Sequence, residues 1–231
     1  MSNSVKLIVM LTNNDRTVEN ANEIFENCKD LEVECWGFKD IGLPVAEMQK
    51  LVKNMKRANK KTFLEVVSIG EKEGMKGAKL AVECGFDYLM GTVFYEKIAD
   101  YLIDKHPKYY PFCGKIYGHP SILDGSVDEI INHAKYVLKN GAKGVDLLAY
   151  RYIKEDADKR LIKDFLSQIK KPVILAGSIS SWDRLEKVLN YKPWGFTIGT
   201  AFFNNKFGDI NLHDQIDAVS KKVKQFNFNL K

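Results

Sequence analysis

Three acidic residues sit inside apolar runs of this chain: Glu34 in Val33-Glu34-Cys35, Glu65 in Leu64-Glu65-Val66 and Asp146 in Val145-Asp146-Leu147. If the runs are strands, alternation puts the apolar neighbours on one face and the carboxylates on the other. A carboxylate facing a protein interior must be paired or protonated, and such surroundings tune a general acid or base. The alternative is a polar core layer, satisfied by Lys or Tyr and without a catalytic part. Polar groups, several of them basic, follow strand-like runs of this kind along the chain. Lys39 and Asp40 come after the second, Lys115 after the fifth, and Tyr150 and Arg151 after the sixth. Lys39 or Lys115 could polarise a carbonyl or hold an anion. His119, in Tyr117-Gly118-His119-Pro120, is an acid–base candidate on a long loop. His106, His133 and His213 read as helix or surface positions. No HxH or HExxH spacing occurs and no His falls inside a strand, so no metal site is expected.

A second signal lies near the C-terminus, in Ala176-Gly177-Ser178-Ile179-Ser180 and Ile198-Gly199-Thr200-Ala201. Glycines let backbone N–H groups approach an anion closely. The hydroxyls of Ser178, Ser180 and Thr200 add donors, and a short helix from about Thr200 would aim its N-terminus at the same point. Either run alone reads equally well as a tight turn. Together, after consecutive strands, they have the form of a phosphate site.

The elements that would position these groups alternate. Apolar strand patterns cover residues 6–11, 31–38, 62–69, 86–90, 110–115, 145–149, 172–176 and 195–198, with helical spacing after each. Thr17 is the expected cap of the first helix. Eight strand–helix units in 231 residues give about 29 residues each, the size of one closed barrel. The expected fold is therefore α/β, a single (β/α)8 TIM barrel with a closed parallel sheet, spanning residues 1–231 as one domain. In that fold chemistry belongs to the C-terminal strand ends. An internal echo joins the fourth and eighth strands: Gly85-Phe86 leads to Gly91-Thr92, and Gly195-Phe196 leads to Gly199-Thr200.

Composition narrows the function classes. With 45% hydrophobic and 28% charged residues the chain is not disordered. The net charge of +5 is spread among acids rather than gathered in a stripe, so no nucleic-acid partner is expected. Cys28, Cys35, Cys84 and Cys113 form no CxxC pair, which suits a reducing, cytoplasmic setting. The apolar stretch near the N-terminus is too short to span a bilayer, so no membrane association is expected. A homodimer is the base-rate expectation for assembly.

Through Ala176–Ser180 and Ile198–Ala201 the sequence resembles the ribulose-phosphate-binding barrels, which include phosphoribosyl isomerases, indole-glycerol-phosphate synthase and phosphosugar epimerases. The resemblance implies that Gly177, Ser178, Ser180, Gly199 and Thr200 hold a substrate phosphate. It leaves Gly91-Thr92 as a second anion site to be tested, since the third strand ends Val67-Ser68-Ile69-Gly70 without a double glycine. The metal-using epimerases of that group carry strand histidines that are missing here. The expected function is isomerisation or epimerisation of a small phosphorylated sugar by proton transfer next to a carbonyl, with no cofactor. Glu65, Glu34 or Asp146 would take the proton, and Lys39 or Lys115 would stabilise the enolate oxygen. The alternatives are a lyase (aldolase or decarboxylase) using the same enolate, a non-catalytic phosphate-ligand barrel, and a flavin-phosphate binder. No lysine lies in residues 144–150, where a Schiff-base aldolase would carry one.

Overall fold

The structure is a computed structural model that describes residues 4–230. Eight parallel strands close into a barrel: β1 (Lys6–Met10), β2 (Cys35–Lys39), β3 (Lys61–Val66), β4 (Tyr88–Val93), β5 (Lys108–Phe112), β6 (Val145–Leu147), β7 (Val173–Leu175) and β8 (Gly195–Ile198). They follow sequence order around the barrel, and β1 closes it by pairing with both β2 and β8. This is the expected α/β architecture, a (β/α)8 TIM barrel.

The outer layer holds α1 (Ala21–Cys28), α2 (Val45–Arg57), α3 (Glu71–Cys84), α4 (Glu96–Tyr101), α5 (Val127–Lys139), α6 (Leu161–Gln168), α7 (Trp182–Tyr191), the single turn α8 (Thr200–Phe203) and α9 (Leu212–Phe228). Their apolar stripes face the sheet: α2, for example, buries Met48, Leu51, Val52 and Met55. Ser126 and Glu129 form a capping box that starts α5, and left-handed Gly85 stops α3. The cap of α1 is Asn20 rather than Thr17, because Thr17 is drawn into a ribbon against the end of β2.

Two cores result. Leu64, Val66, Val145, Leu147, Phe196 and Ile198 pack between sheet and helices. Inside the barrel, Ile8, Met10, Cys35, Phe63, Met90, Tyr110 and Ile174 pack on one another. Aromatic rings fill the barrel near the N-terminal strand ends. Phe63 stacks on Tyr88 at 4.3 Å, and Trp194 lies 5.7 Å from both Tyr88 and Tyr110.

Two antiparallel ribbons extend the C-terminal end. One pairs Thr12–Asn13 with Arg16–Thr17, the other Lys115–Tyr117 with Ile122–Asp124. The first turns through Asn14 and Asp15, both left-handed (φ 47° and 59°), the backbone of a primed hairpin turn that Asn and Asp tolerate best. The second changes the reading of strand five. That strand ends at Phe112, not Lys115, and Lys115 opens the ribbon beyond it. No helix among the described residues is long and apolar enough to cross a membrane.

A continuous sheet with no linker should unfold in one step. Urea denaturation followed by circular dichroism and tryptophan fluorescence should give coincident single transitions. Phe63→Ala should lower stability by about 3–5 kcal/mol, the usual cost of emptying a buried aromatic site. Two separated transitions would contradict the single unit.

Candidate active site

A cleft of about 530 Å³ opens at the C-terminal end of the barrel. At its base Lys39, the last residue of β2, is only 6% exposed. Its Nζ lies 2.7 Å from Asp15 Oδ1 and 3.1 Å from Glu65 Oε1. Thr17 fixes this geometry. Its hydroxyl donates to the Lys39 carbonyl and accepts from the Lys39 N–H, both at 2.8 Å, so the ribbon that carries Asp15 is stitched to β2. Burial alone would lower the pKa of Lys39, but Glu65 and Asp15 outweigh it and hold it above the ordinary lysine value. Lys39 is therefore a cation at neutral pH. Burial likewise works to raise Asp15, and Lys39 and Arg151 outweigh it, leaving the carboxyl below its usual range.

Asp146, in the middle of β6, is fully buried beneath the cleft and does not line it. Neither of its oxygens makes a hydrogen bond of good geometry. Burial, followed by the charge of Glu65, pushes its pKa well above the usual carboxylate range, and Lys39, Arg151 and the Gly91 N–H offset this only in part. Asp146 is the group here that favours its neutral form.

The structure brings together Lys39, Glu65 and His119 with Gly177, Ser178, Ser180, Gly199 and Thr200 around one cleft. His119 is at the exposed tip of the second ribbon. The segment after β7 turns through left-handed Gly177 (φ 85°) and Ser178 (φ 50°). Gly199 caps α8 against the first ribbon, where a Cβ would stand 2.5 Å from Thr12 Oγ1.

Two expected catalytic residues lie elsewhere. Glu34 immediately precedes β2 at the opposite end of the barrel and pairs with Lys6 at 2.6 Å in solvent, its side chain 54% exposed. The inward residues of β2 are Cys35 and Lys39, so the strand has the other parity from the one its Val-Glu-Cys pattern suggests. Lys115 is exposed, packs over the Tyr117 ring and is outside the cleft lining. Gly91 and Thr92 are also not an anion loop. Both are buried, at a register shift in β4 where a Cβ on Gly91 would lie 2.5 Å from the Val66 carbonyl oxygen. Conversely, Asp15 escaped the sequence reading as a catalytic-cleft residue. Its only signal was a polar turn, Asn13-Asn14-Asp15, between two short extended pairs. Among the described residues no three His, Cys, Asp or Glu side chains are grouped to hold a metal ion.

No family model matches the chain, and no curated protein matches it in sequence. Solved structures do match in shape. Thiamine phosphate pyrophosphorylase from Pyrococcus furiosus gives a TM-score of 0.67 at 15% identity, over 97% of this chain and 98% of that one. The chain shares their fold. Orotidine 5'-phosphate decarboxylase from Pyrococcus horikoshii gives 0.66 at 12% identity, over 94% of this chain and 99% of that one. N-acetylmannosamine-6-phosphate 2-epimerase from Clostridium perfringens gives 0.63 at 12% identity, over 94% and 93%. By name these neighbours are a pyrophosphorylase, a decarboxylase and an epimerase, so the likeness is one of fold and spans several reaction types.

The buried acid gives a pH signature. Above about pH 4 an unfolded chain releases the Asp146 proton while the folded chain keeps it, so this residue costs stability increasingly as pH rises toward its folded pKa. Asp146→Asn removes that cost. The melting temperature of the variant relative to wild type should therefore climb as pH rises above about 4. A flat difference across thermal melts would mean that Asp146 ionises normally.

Proposed function

We propose that this chain is an enzyme that moves a proton next to the carbonyl of a small phosphorylated sugar, as an isomerase or epimerase. The observation that carries this reading is Lys39, a buried cation held between two carboxylates in the same cleft as the loops at Gly177-Ser178 and Gly199-Thr200. The loops would seat the phosphate with backbone N–H groups and hydroxyls. Lys39 would donate to the carbonyl oxygen and stabilise the negative charge that develops there. Glu65, on the neighbouring strand, would accept the proton from the adjacent carbon. Returned to the former carbonyl carbon, whose oxygen becomes a hydroxyl by taking the proton of the neighbouring hydroxyl, that proton completes an isomerisation. Alternatively, Glu65 keeps that proton and His119 on the rim donates its own to the same carbon from the other face, which completes an epimerisation. The raised pKa of Lys39 favours this enolate route over a Schiff base, which needs a neutral amine. The epimerase among the structural neighbours, whose name includes a 6-phosphate, supports the reading at the level of fold.

Incubation with a panel of sugar phosphates in D2O, followed by NMR, tests it directly. One substrate should gain deuterium at the carbon next to its carbonyl. Lys39→Met and Glu65→Gln should each slow that exchange by about 10²–10⁴-fold, while Glu34→Gln and Lys115→Met leave it unchanged. No exchange across the panel, or full exchange in Lys39→Met, would overturn the assignment.

A further inference from the structure

Arg151 ends a single 3-10 turn, Ala149–Arg151, that follows β6, and it lines the cleft. Its guanidinium is poorly satisfied. One NH2 contact reaches Asp15 Oδ1 at 3.5 Å, and one NH1 contact reaches the Ser121 carbonyl at 3.3 Å. A guanidinium carries five N–H donors, and good charge-assisted pairs close to about 2.7–2.9 Å. The Asp15 oxygen is already committed to Lys39 at 2.7 Å. Meanwhile the stem of Arg151 runs alongside the turn after β7. A Cβ on Gly177 would lie 2.9 Å from its Cγ and 3.4 Å from its Nε. The absent side chain at 177 is what lets an arginine pass this close to left-handed backbone.

We propose that Arg151 is a phosphate ligand that is exchanged between Asp15 and the substrate. A phosphate monoester seated at Gly177-Ser178 and Gly199-Thr200 draws the guanidinium away from its long contact with Asp15 and leaves Asp15 to Lys39 alone. The proposal rests on the phosphate reading of those loops and adds the residue that completes the site. A dianion with three terminal oxygens can accept two parallel N–H bonds, which one shared carboxylate oxygen cannot match. Asp15 thus competes with the ligand for Arg151, and its charge sets how tightly an anion is held.

Calorimetric titration of the full chain with inorganic phosphate separates the possibilities. Arg151→Met should weaken binding by about 10- to 100-fold, and Arg151→Lys should recover only part of it because it lacks the fork. Asp15→Asn should tighten binding, and the gain should vanish in the Arg151→Met background, since a double-mutant cycle isolates the competition from general repulsion. If wild type binds no phosphate, the phosphate reading falls and this proposal with it. If wild type binds and Arg151→Met binds equally, the role of Arg151 falls alone. A tightening by Asp15→Asn that persists without Arg151 would overturn the exchange. Should Asp15→Asn fail to fold, because it strips a partner from Lys39, the two Arg151 variants still decide.

Discussion

The cleft depends on keeping one ammonium charged at the end of a barrel strand. Lys39 has almost no contact with solvent, and a buried cation without partners would shed its proton. Two carboxylates prevent this, and they come from different parts of the fold: Glu65 from the adjacent strand β3, Asp15 from the turn of a ribbon. With Arg151 the set balances to zero, two negative and two positive charges. A third ionised carboxylate would upset that balance in surroundings that screen charge poorly. Asp146, in the same interior, favours its proton first because burial penalises its charge and then because Glu65 is already negative there.

The ribbon is the part of this arrangement that the fold class does not require. A (β/α)8 barrel needs only a connection between β1 and α1. Here the connection doubles back through Asn14 and Asp15, and Thr17 bonds to both backbone groups of Lys39. The loop thereby acquires the precision of a strand, which a carboxylate must have to hold a lysine at 2.7 Å.

How much of this was legible in the sequence follows from the strength of each periodic signal. Strand–helix alternation specifies the barrel, because eight short apolar runs each followed by helical spacing fit few other closed arrangements. Parity was legible at Glu65 and Asp146, whose neighbours Leu64, Val66, Val145 and Leu147 pack toward the helices. It failed at Glu34 because cysteine suits either side of a sheet, and Cys35 in fact points inward. A shift of one residue reverses every orientation in a strand. Lys115 was misplaced for a similar reason. The apolar run continues through Cys113, while the strand stops at Phe112 and a positive-φ glycine, Gly114, redirects the chain. Asp15 was illegible as a partner of Lys39, since an acidic residue in a polar turn has an ordinary explanation and the contact spans 24 positions.

The two ends of the barrel divide the work that makes such a site effective. Near the N-terminal strand ends, Phe63, Tyr88, Tyr110 and Trp194 fill the interior with rings, and Met10, Met90 and Ile174 pack with them. Water therefore reaches the charged groups from one side only. A polar layer open on both sides would be solvated, and its ion pairs would be worth little. Closed from below, the same groups keep fixed orientations and need not reorganise when charge develops on a bound carbonyl. The identical dipeptide Gly-Thr shows how position along a strand decides its use. In β4 it is buried at a register shift and serves packing, whereas after β8 it lines the cleft.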